Sequence, residues 1–386
     1  MRKSILILYS DTGGGHRSAA RAIREAILRL GRFDLQPQIE LVDVFSTYSP
    51  FPINRFPEWY PRMIRYGGRF WGLGYRATDG TRRVRALLRF FRRMSRQVVR
   101  ELLDERRPDL IVSVHPLLNT SILWELGRRR PGFITVITDL TNAHAWWYAP
   151  EADLCLVPTA DVKARAIRCG LDPRRVKVTG FPVSAPFMNG LPAREALRAE
   201  LGWRLDRPVI MIAGGGAGIG PLFEVAKEVA RSEVECELVI MAGRNHALYR
   251  RAMSEDWKFP VHVFGFTSEM ARLMKACDML VTKAGPNTIM EACALGLPLV
   301  LVGAIPALEE GNVKYVEQHG AGVWAPHPAR AVRAIRRWIE NPAELHRASQ
   351  AASRLAQPDA TAQIAREILA YLSDQEPSRG ASREAV

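Results

Sequence analysis

No apolar stretch in this sequence approaches the roughly 20 residues that span a bilayer, so none is read as a transmembrane helix. Cysteine is scarce. The five present, Cys155, Cys169, Cys236, Cys277 and Cys293, are odd in number and lack CxxC spacing, which argues against a disulfide framework or a structural zinc site and fits a reducing cytoplasm. Neither glycine-rich turn is followed by the Gly-Lys-Ser/Thr of a Walker loop, and no clean GxGxxG has a ribose-binding acid at its usual spacing. Nucleotide hydrolysis on a P-loop and hydride transfer are therefore disfavoured. Asp-x-Asp is also absent.

What is present is length and basic charge. At 386 residues the chain exceeds what one core usually fills, so two domains are expected. The net charge of +14 is unevenly spread: residues 1–190 hold about 31 Lys+Arg against 17 Asp+Glu, and the rest balances. Within residues 55–107 there are about 15 arginines, no lysine and about 5 acids. Such a local field points to a polyanion or an anionic membrane surface.

Ser4–Tyr9 reads as a strand rather than the apolar part of a signal peptide, because it is short and Asp11 ends it. Behind it lie Gly13, Gly14, Gly15 and His16, then a helical pattern. That order brings backbone N–H groups and a helix N-terminus against an anion or a sugar. A second strand is expected at 35–44. Residues 50–80, rich in Pro, Gly and aromatics, hold neither helical nor strand period and read as a long functional loop. Residues 81–103 read as one helix with Arg82, Arg83 and further arginines between its apolar positions. It is either a half-solvated surface helix or an interfacial basic segment.

Further strands are expected at 109–114, 133–137, 154–157 and 176–179. The pattern breaks near residue 190, and strands resume at 208–213, 238–242, 261–264, 279–282 and, last, 298–301. Strands alternating with helical patterns imply βαβ units and parallel sheets, so the fold class is α/β. His16, His115 and Asp139 each follow a strand and should gather at one sheet edge, where open α/β folds place ligands. The expected units are an N-terminal domain, 1–190, a C-terminal domain with its closing helices, 191–372, and a polar disordered tail, 373–386.

Two stretches of the second half carry chemistry. Gly214-Gly215-Gly216-Ala217-Gly218 can hold a diphosphate through backbone N–H groups and the following helix dipole, or serve only as a turn. Lys283-Ala284-Gly285-Pro286-Asn287-Thr288 follows a strand and sets Glu291 one turn into a helix. There a carboxylate can accept from vicinal ribose hydroxyls, or simply complement the dipole.

The chain resembles the monogalactosyldiacylglycerol synthase and processive diacylglycerol glucosyltransferase family, related more distantly to the peptidoglycan transferase MurG. The residues carrying the resemblance are Ser10–His16, Thr138-Asp139-Leu140-Thr141 with His144 and Trp147, Pro182-Val183 with Phe187, Gly214-Gly215-Gly216, Gly265-Phe266, 282–291, and Pro306 with Glu309, Glu310 and Asn312. They occur in family order. The resemblance implies two Rossmann-like domains facing across a cleft (GT-B), and an inverting transfer of a hexose from a UDP-sugar to diacylglycerol.

Carried over, Gly214–Gly216, Gly285 and Thr288 would meet the diphosphate, Phe266 the uracil and Glu291 the ribose. Glu309, Glu310 and Asn312 would face the hexose. The N-terminal domain would hold the lipid. His16 is the expected base, because imidazole serves near neutral pH, with His115, Asp139 or Asp11 as helpers or rivals. Gly14, Gly15, His144 and Trp147 would line the acceptor side, and Trp59, Trp71, Arg82 and Arg83 would meet anionic lipid. The helix N-termini after Gly216 and Gly285 would replace a metal, so no metal or other cofactor is expected.

Two departures from the family pattern stand out: Ala307-Leu308 replaces Gly-Gln before Glu309, and Asn287 replaces a glycine whose positive φ it is expected to tolerate. The expected place of work is the cytoplasmic face of the cell membrane, as a peripheral protein. The alternatives are a MurG-like transfer of N-acetylglucosamine to a lipid diphosphate, and nucleic-acid binding by the basic half. The second is disfavoured because it leaves the strand-end glycines unused and no recognition motif is present, so no nucleic-acid partner is expected.

Overall fold

Ile5, Leu6, Ile7 and Leu8 are each 2% exposed or less, an unbroken apolar run buried on both faces, as a central parallel strand requires. The structure is a computed structural model. It describes residues 3–31, 37–90, 92–127, 130–188 and 190–374, and of residues 53, 61–62, 65–66, 69, 92–95 and 118 the backbone alone.

The first sheet consists of β1 (Ser4–Tyr9), β2 (Gln38–Asp43), β3 (Leu110–Ser113), β4 (Gly132–Val136), β5 (Leu154–Val157) and β6 (Val176–Val178), in the order β2-β1-β3-β4-β5-β6. The second consists of β7 (Val209–Ala213), β8 (Glu237–Gly243), β9 (Val261–Gly265), β10 (Met279–Lys283), β11 (Leu299–Gly303) and β12 (Gly322–Trp324), in the order β12-β11-β10-β7-β8-β9. All pairings are parallel. In each sheet the order reverses once, between β1 and β3 and between β7 and β10. Those reversals leave a crevice at the strands' carboxyl ends where open α/β sheets take ligands.

Four expectations are corrected. Residues 50–80 are not a loop. Phe56–Thr78 is a helix with Pro57 in its first turn, kinked at Gly67, where φ is −119° and ψ 17°; glycines spread the apolar period and hide it. The basic segment is two helices, Thr81–Phe90 and Arg92–Arg106. A strand beyond 298–301 exists, β12, too short to show a period.

Finally, the helix Ala360–Asp374 does not belong to the C-terminal domain. Its Ile364, Ala365, Ile368 and Leu372 pack with Ile23 and Ile27 of the helix Gly15–Leu30 and with Ile5 and Ile134 of the first sheet, while Phe181, Val183 and Phe187 already join the second domain's core. The chain therefore crosses between the domains twice. The two crossings are bonded side by side: Phe181 N donates to Gln357 Oε1 at 2.9 Å and Val183 N to Thr361 Oγ1 at 2.9 Å. Of the tail expected to be disordered, 373–386, Ser373 and Asp374 close the helix Ala360–Asp374 instead, and the rest, from 375 on, lies outside the described residues.

Candidate active site

At the β1/β3 reversal, Gly13 and Gly14 take φ of 91° and 89°, which only glycine adopts without strain. They turn the chain from β1 into the helix that begins at Gly15 and set His16 over the sheet edge. His16 Nδ1 lies 2.9 Å from Thr138 Oγ1, just past the end of β4. Its ring stands edge-on to His115 at 4.7 Å and 6.1 Å from Trp147. With Thr138 Oγ1 donating to the Val114 carbonyl at 3.5 Å, the tautomer that fits is the one in which Nδ1–H donates to Thr138 and Nε2 keeps the ring's lone pair. Burial pushes the imidazole down to about 4, against a smaller opposing effect of the Val114 carbonyl, so His16 is a neutral acceptor at pH 7.

The other two expected groups lie in the same cluster. His115 is buried, held well below its ordinary range first by burial and then by His16, and its Nδ1 has no partner. Asp139 accepts from the indole N–H of the fully buried Trp147 at 2.6 Å. Burial raises its carboxyl to about 6, the Trp147 bond lowers it, and the Glu309 charge raises it. Asp11 pairs with Arg17 at 3.1 Å and, across the cleft, with Arg244 at 3.6 Å; it is committed to ions rather than to His16.

At the β7/β10 reversal, the turn Gly214–Gly218 follows β7 and the helix Pro286–Ala294 follows β10, capped by Gly285. Thr288 is in that helix's first turn. Glu291, one turn on, has a carboxyl raised by burial to about 8. Phe266 is 61% exposed at the lip with the Arg244 guanidinium 4.9 Å above its ring, an aromatic face open to a base. Gly216 and Gly13 nearly touch, since a Cβ at Gly216 would lie 3.6 Å from the Gly13 carbonyl oxygen. The two glycine turns thus face each other.

The residues expected to face the hexose are each engaged with partners in the protein. Glu309 is 3% exposed, ion-paired with Lys283 Nζ at 2.5 Å and accepting from Ile305 N at 2.9 Å. Asn312 is buried and spans the domains, accepting from Thr141 Oγ1 at 3.0 Å and donating to the Ala284 carbonyl at 2.9 Å. Glu310 is exposed and pairs with Arg76 at 2.9 Å. Asn287 does not take positive φ. It is a helical residue whose Nδ2 donates to the Gly15 carbonyl at 3.1 Å, and a Cβ at Gly15 would stand 2.7 Å from its Oδ1. In Ala307-Leu308, Ala307 does take φ 66°.

The Phe56–Thr78 helix crosses above this cleft. Gly68, Gly72 and Arg76 form one stripe against Pro306 and Glu310 of the second domain, where a Cβ at Gly72 would meet Pro306 Cβ at 2.8 Å. His144, buried, anchors the helix end through Thr78 Oγ1 and the Tyr75 carbonyl. Trp71 is half-buried on Tyr60, ring centroids 5.6 Å apart, with its indole N–H enclosed and unpartnered; it faces inward, not toward lipid. Outward stand Phe51, Phe70, Leu73 and Phe90, 63–82% exposed, and Trp59 at 43%; Arg82 and Arg83 are exposed as well. The sequence reading gives no role to Arg244 or Lys283, although each stands at the end of a strand that flanks a ligand crevice.

Residues 16–183 match the monogalactosyldiacylglycerol (MGDG) synthase family and residues 209–364 the glycosyltransferase family 28 C-terminal domain. Monogalactosyldiacylglycerol synthase 3, chloroplastic, of Arabidopsis thaliana is 36% identical over 386 residues, covering 97% of this chain and 82% of that protein. Probable monogalactosyldiacylglycerol synthase 2, chloroplastic, of Oryza sativa subsp. japonica is 37% identical over 382 residues, covering 95% and 80%. Among solved structures, Acinetobacter baumannii MurG superposes with a TM-score of 0.62 at 15% identity, covering 96% of this chain and 99% of that one. An S. aureus MnaA–UDP structure gives 0.61 at 15%, covering 96% and 97%. At these identities the structural likeness shows the fold alone, which is GT-B.

Proposed function

The chain belongs to the monogalactosyldiacylglycerol synthase family, and from that premise we propose that its cleft moves galactose from UDP-galactose to the free hydroxyl of diacylglycerol, with His16 as base. It is a UDP-sugar-dependent glycosyltransferase of glycolipid synthesis. The observation that carries the assignment of sides is the meeting of the two glycine turns at the two sheet reversals: one presents the lone pair of a neutral histidine, the other presents helix N-termini.

In the proposed reaction His16 Nε2 takes the hydroxyl proton as the acceptor oxygen attacks the anomeric carbon from the face opposite UDP, so configuration inverts. UDP leaves onto Gly214–Gly216 and the N-terminus of the Pro286–Ala294 helix, whose dipole favours negative charge. Glu291 takes the ribose hydroxyls and Phe266 stacks on the uracil. Among the described residues no group of three or more His, Cys, Asp or Glu is placed to hold a metal ion, and we assign the charge of the departing UDP to these protein groups.

Among the described residues no helix is long and apolar enough to cross a membrane. The exposed apolar Phe51, Phe70 and Leu73 and the exposed Arg82 and Arg83 support peripheral docking on anionic lipid at the cytoplasmic face of the cell membrane, where each basic residue gains about 1 kcal/mol. The test is a donor matrix: UDP-galactose, UDP-glucose and UDP-N-acetylglucosamine against diacylglycerol vesicles, read by lipid chromatography. Galactosyl-diacylglycerol as the main product is expected. Transfer from UDP-N-acetylglucosamine alone would sink the assignment.

A further inference from the structure

Lys283 ends β10 at the reversal of the second sheet, so its side chain is set where the donor diphosphate is expected. Its Cε would lie 4.0 Å from a Cβ at Gly215, and its Nζ 2.7 Å from a Cβ at Gly285. It therefore stands between the two glycine positions that flank the phosphates. The guanidinium groups nearby are engaged: Arg17 and Arg244 both lean on Asp11. Lys283 is engaged too, but with a residue of the donor site itself. Its ammonium and the Glu309 carboxylate are 2.5 Å apart, with side chains 17% and 3% exposed.

An ion pair buried this deeply is stabilising only while both charges stay compensated. A diphosphate entering beside Lys283 brings two negative charges against the carboxylate. The arrangement tolerates it only if the ammonium turns to the phosphates. Glu309 Oε2 keeps its bond from Ile305 N, and Oε1 loses its partner at the moment a hexose arrives with hydroxyl donors.

Resting on the UDP-sugar reading above, we infer that Lys283 is a donor-phosphate ligand handed over from Glu309, so that diphosphate capture unlocks the carboxylate that reads the hexose. The device makes hexose recognition conditional on the nucleotide. A free hexose finds Glu309 occupied, and UDP alone leaves Oε1 unpaired until the sugar fills it.

Calorimetric binding of UDP and of uridine to the full chain tests this, because uridine lacks the phosphates. Lys283→Met should weaken UDP about 10-fold or more and uridine less than about twofold. Since Lys283→Met strands a buried carboxylate, K283M/E309Q removes both charges; it should bind UDP as weakly while unfolding near the parent temperature. Glu309→Gln releases the ammonium and should tighten UDP about threefold, while the preference in kcat/KM between UDP-galactose and UDP-glucose narrows. Parental UDP affinity in K283M/E309Q overturns the ligand role. Unchanged UDP affinity in Glu309→Gln overturns the handover. A parent protein that binds neither UDP nor uridine brings down the donor reading itself, and this inference with it.

Discussion

Gly15 tests whether the two glycine turns must meet for transfer. Its carbonyl accepts from Asn287 Nδ2 at 3.1 Å, and a methyl group there would stand 2.7 Å from Asn287 Oδ1. Gly15 is the first residue of its helix, where alanine is a better helix former than glycine, so Gly15→Ala should not lower the unfolding temperature. What it costs is closure. The amide must swing aside and lose a bond worth about 1 kcal/mol, and any residual overlap adds up to about 1 kcal/mol. One to two kcal/mol is a factor of about 5–30, so kcat/KM for UDP release with diacylglycerol in mixed micelles should fall about 10-fold. Asn287→Ala removes the bond but also the obstacle and should cost about fivefold. The double variant should then match Asn287→Ala alone, because the added methyl group meets nothing. If the two losses multiply instead, the domains are not held at this contact and the reasoning fails.

His16→Ala should lower kcat about 10²–10⁴-fold, and because burial pushes the imidazole down to about 4, its acid limb in a pH–rate profile should lie below about pH 5; a limb near pH 6.5 that vanishes in His16→Ala would contradict the buried geometry. Glu291 is raised to about 8, above its unfolded value, so the folded chain binds the extra proton and stability should decline as pH rises from about 4.5 to 8. Glu291→Gln should flatten that decline in thermal unfolding, and UDP binding at pH 7 should release about one proton in the parent, none in the variant, measured by calorimetry in buffers of different ionisation heat. Ala307→Gly should stabilise by about 1 kcal/mol in urea unfolding, since alanine at φ 66° carries left-handed strain; a loss of stability would show the strain is absent. Phe70→Ser, at an exposed site, should weaken sedimentation with anionic vesicles about 10-fold and leave turnover of a short-chain soluble acceptor unchanged. Equal binding of the parent to neutral and anionic vesicles would remove the electrostatic part of the docking proposal.

The strand-end signals were legible because buried parallel strands are unbroken apolar runs and need no partner to be recognised; His16, His115 and Asp139 fall together as expected. The Phe56–Thr78 helix was not legible. Its Gly68 and Gly72 answer to Pro306, far along the chain, and a helix shaped for close approach gives up the periodicity that would announce it. The closing helix was legible as a helix but not as part of the first domain, since an amphipathic face does not say which core it will cover. Glu309 and Asn312 were found by resemblance, yet their partners Lys283 and Thr141 belong to geometry that only the folded chain brings together.

The return of Ala360–Asp374 to the first sheet has a consequence for how the protein is made. Ile364, Ala365, Ile368 and Leu372 cover apolar surface of strands synthesised some 200 to 360 residues earlier. During synthesis the first domain therefore emerges with one flank bare and is completed last, after the second domain has already been threaded between its parts. A version truncated at residue 355 should behave as an unfinished first domain that needs a chaperone. The same helix supplied as a separate peptide should restore its solubility.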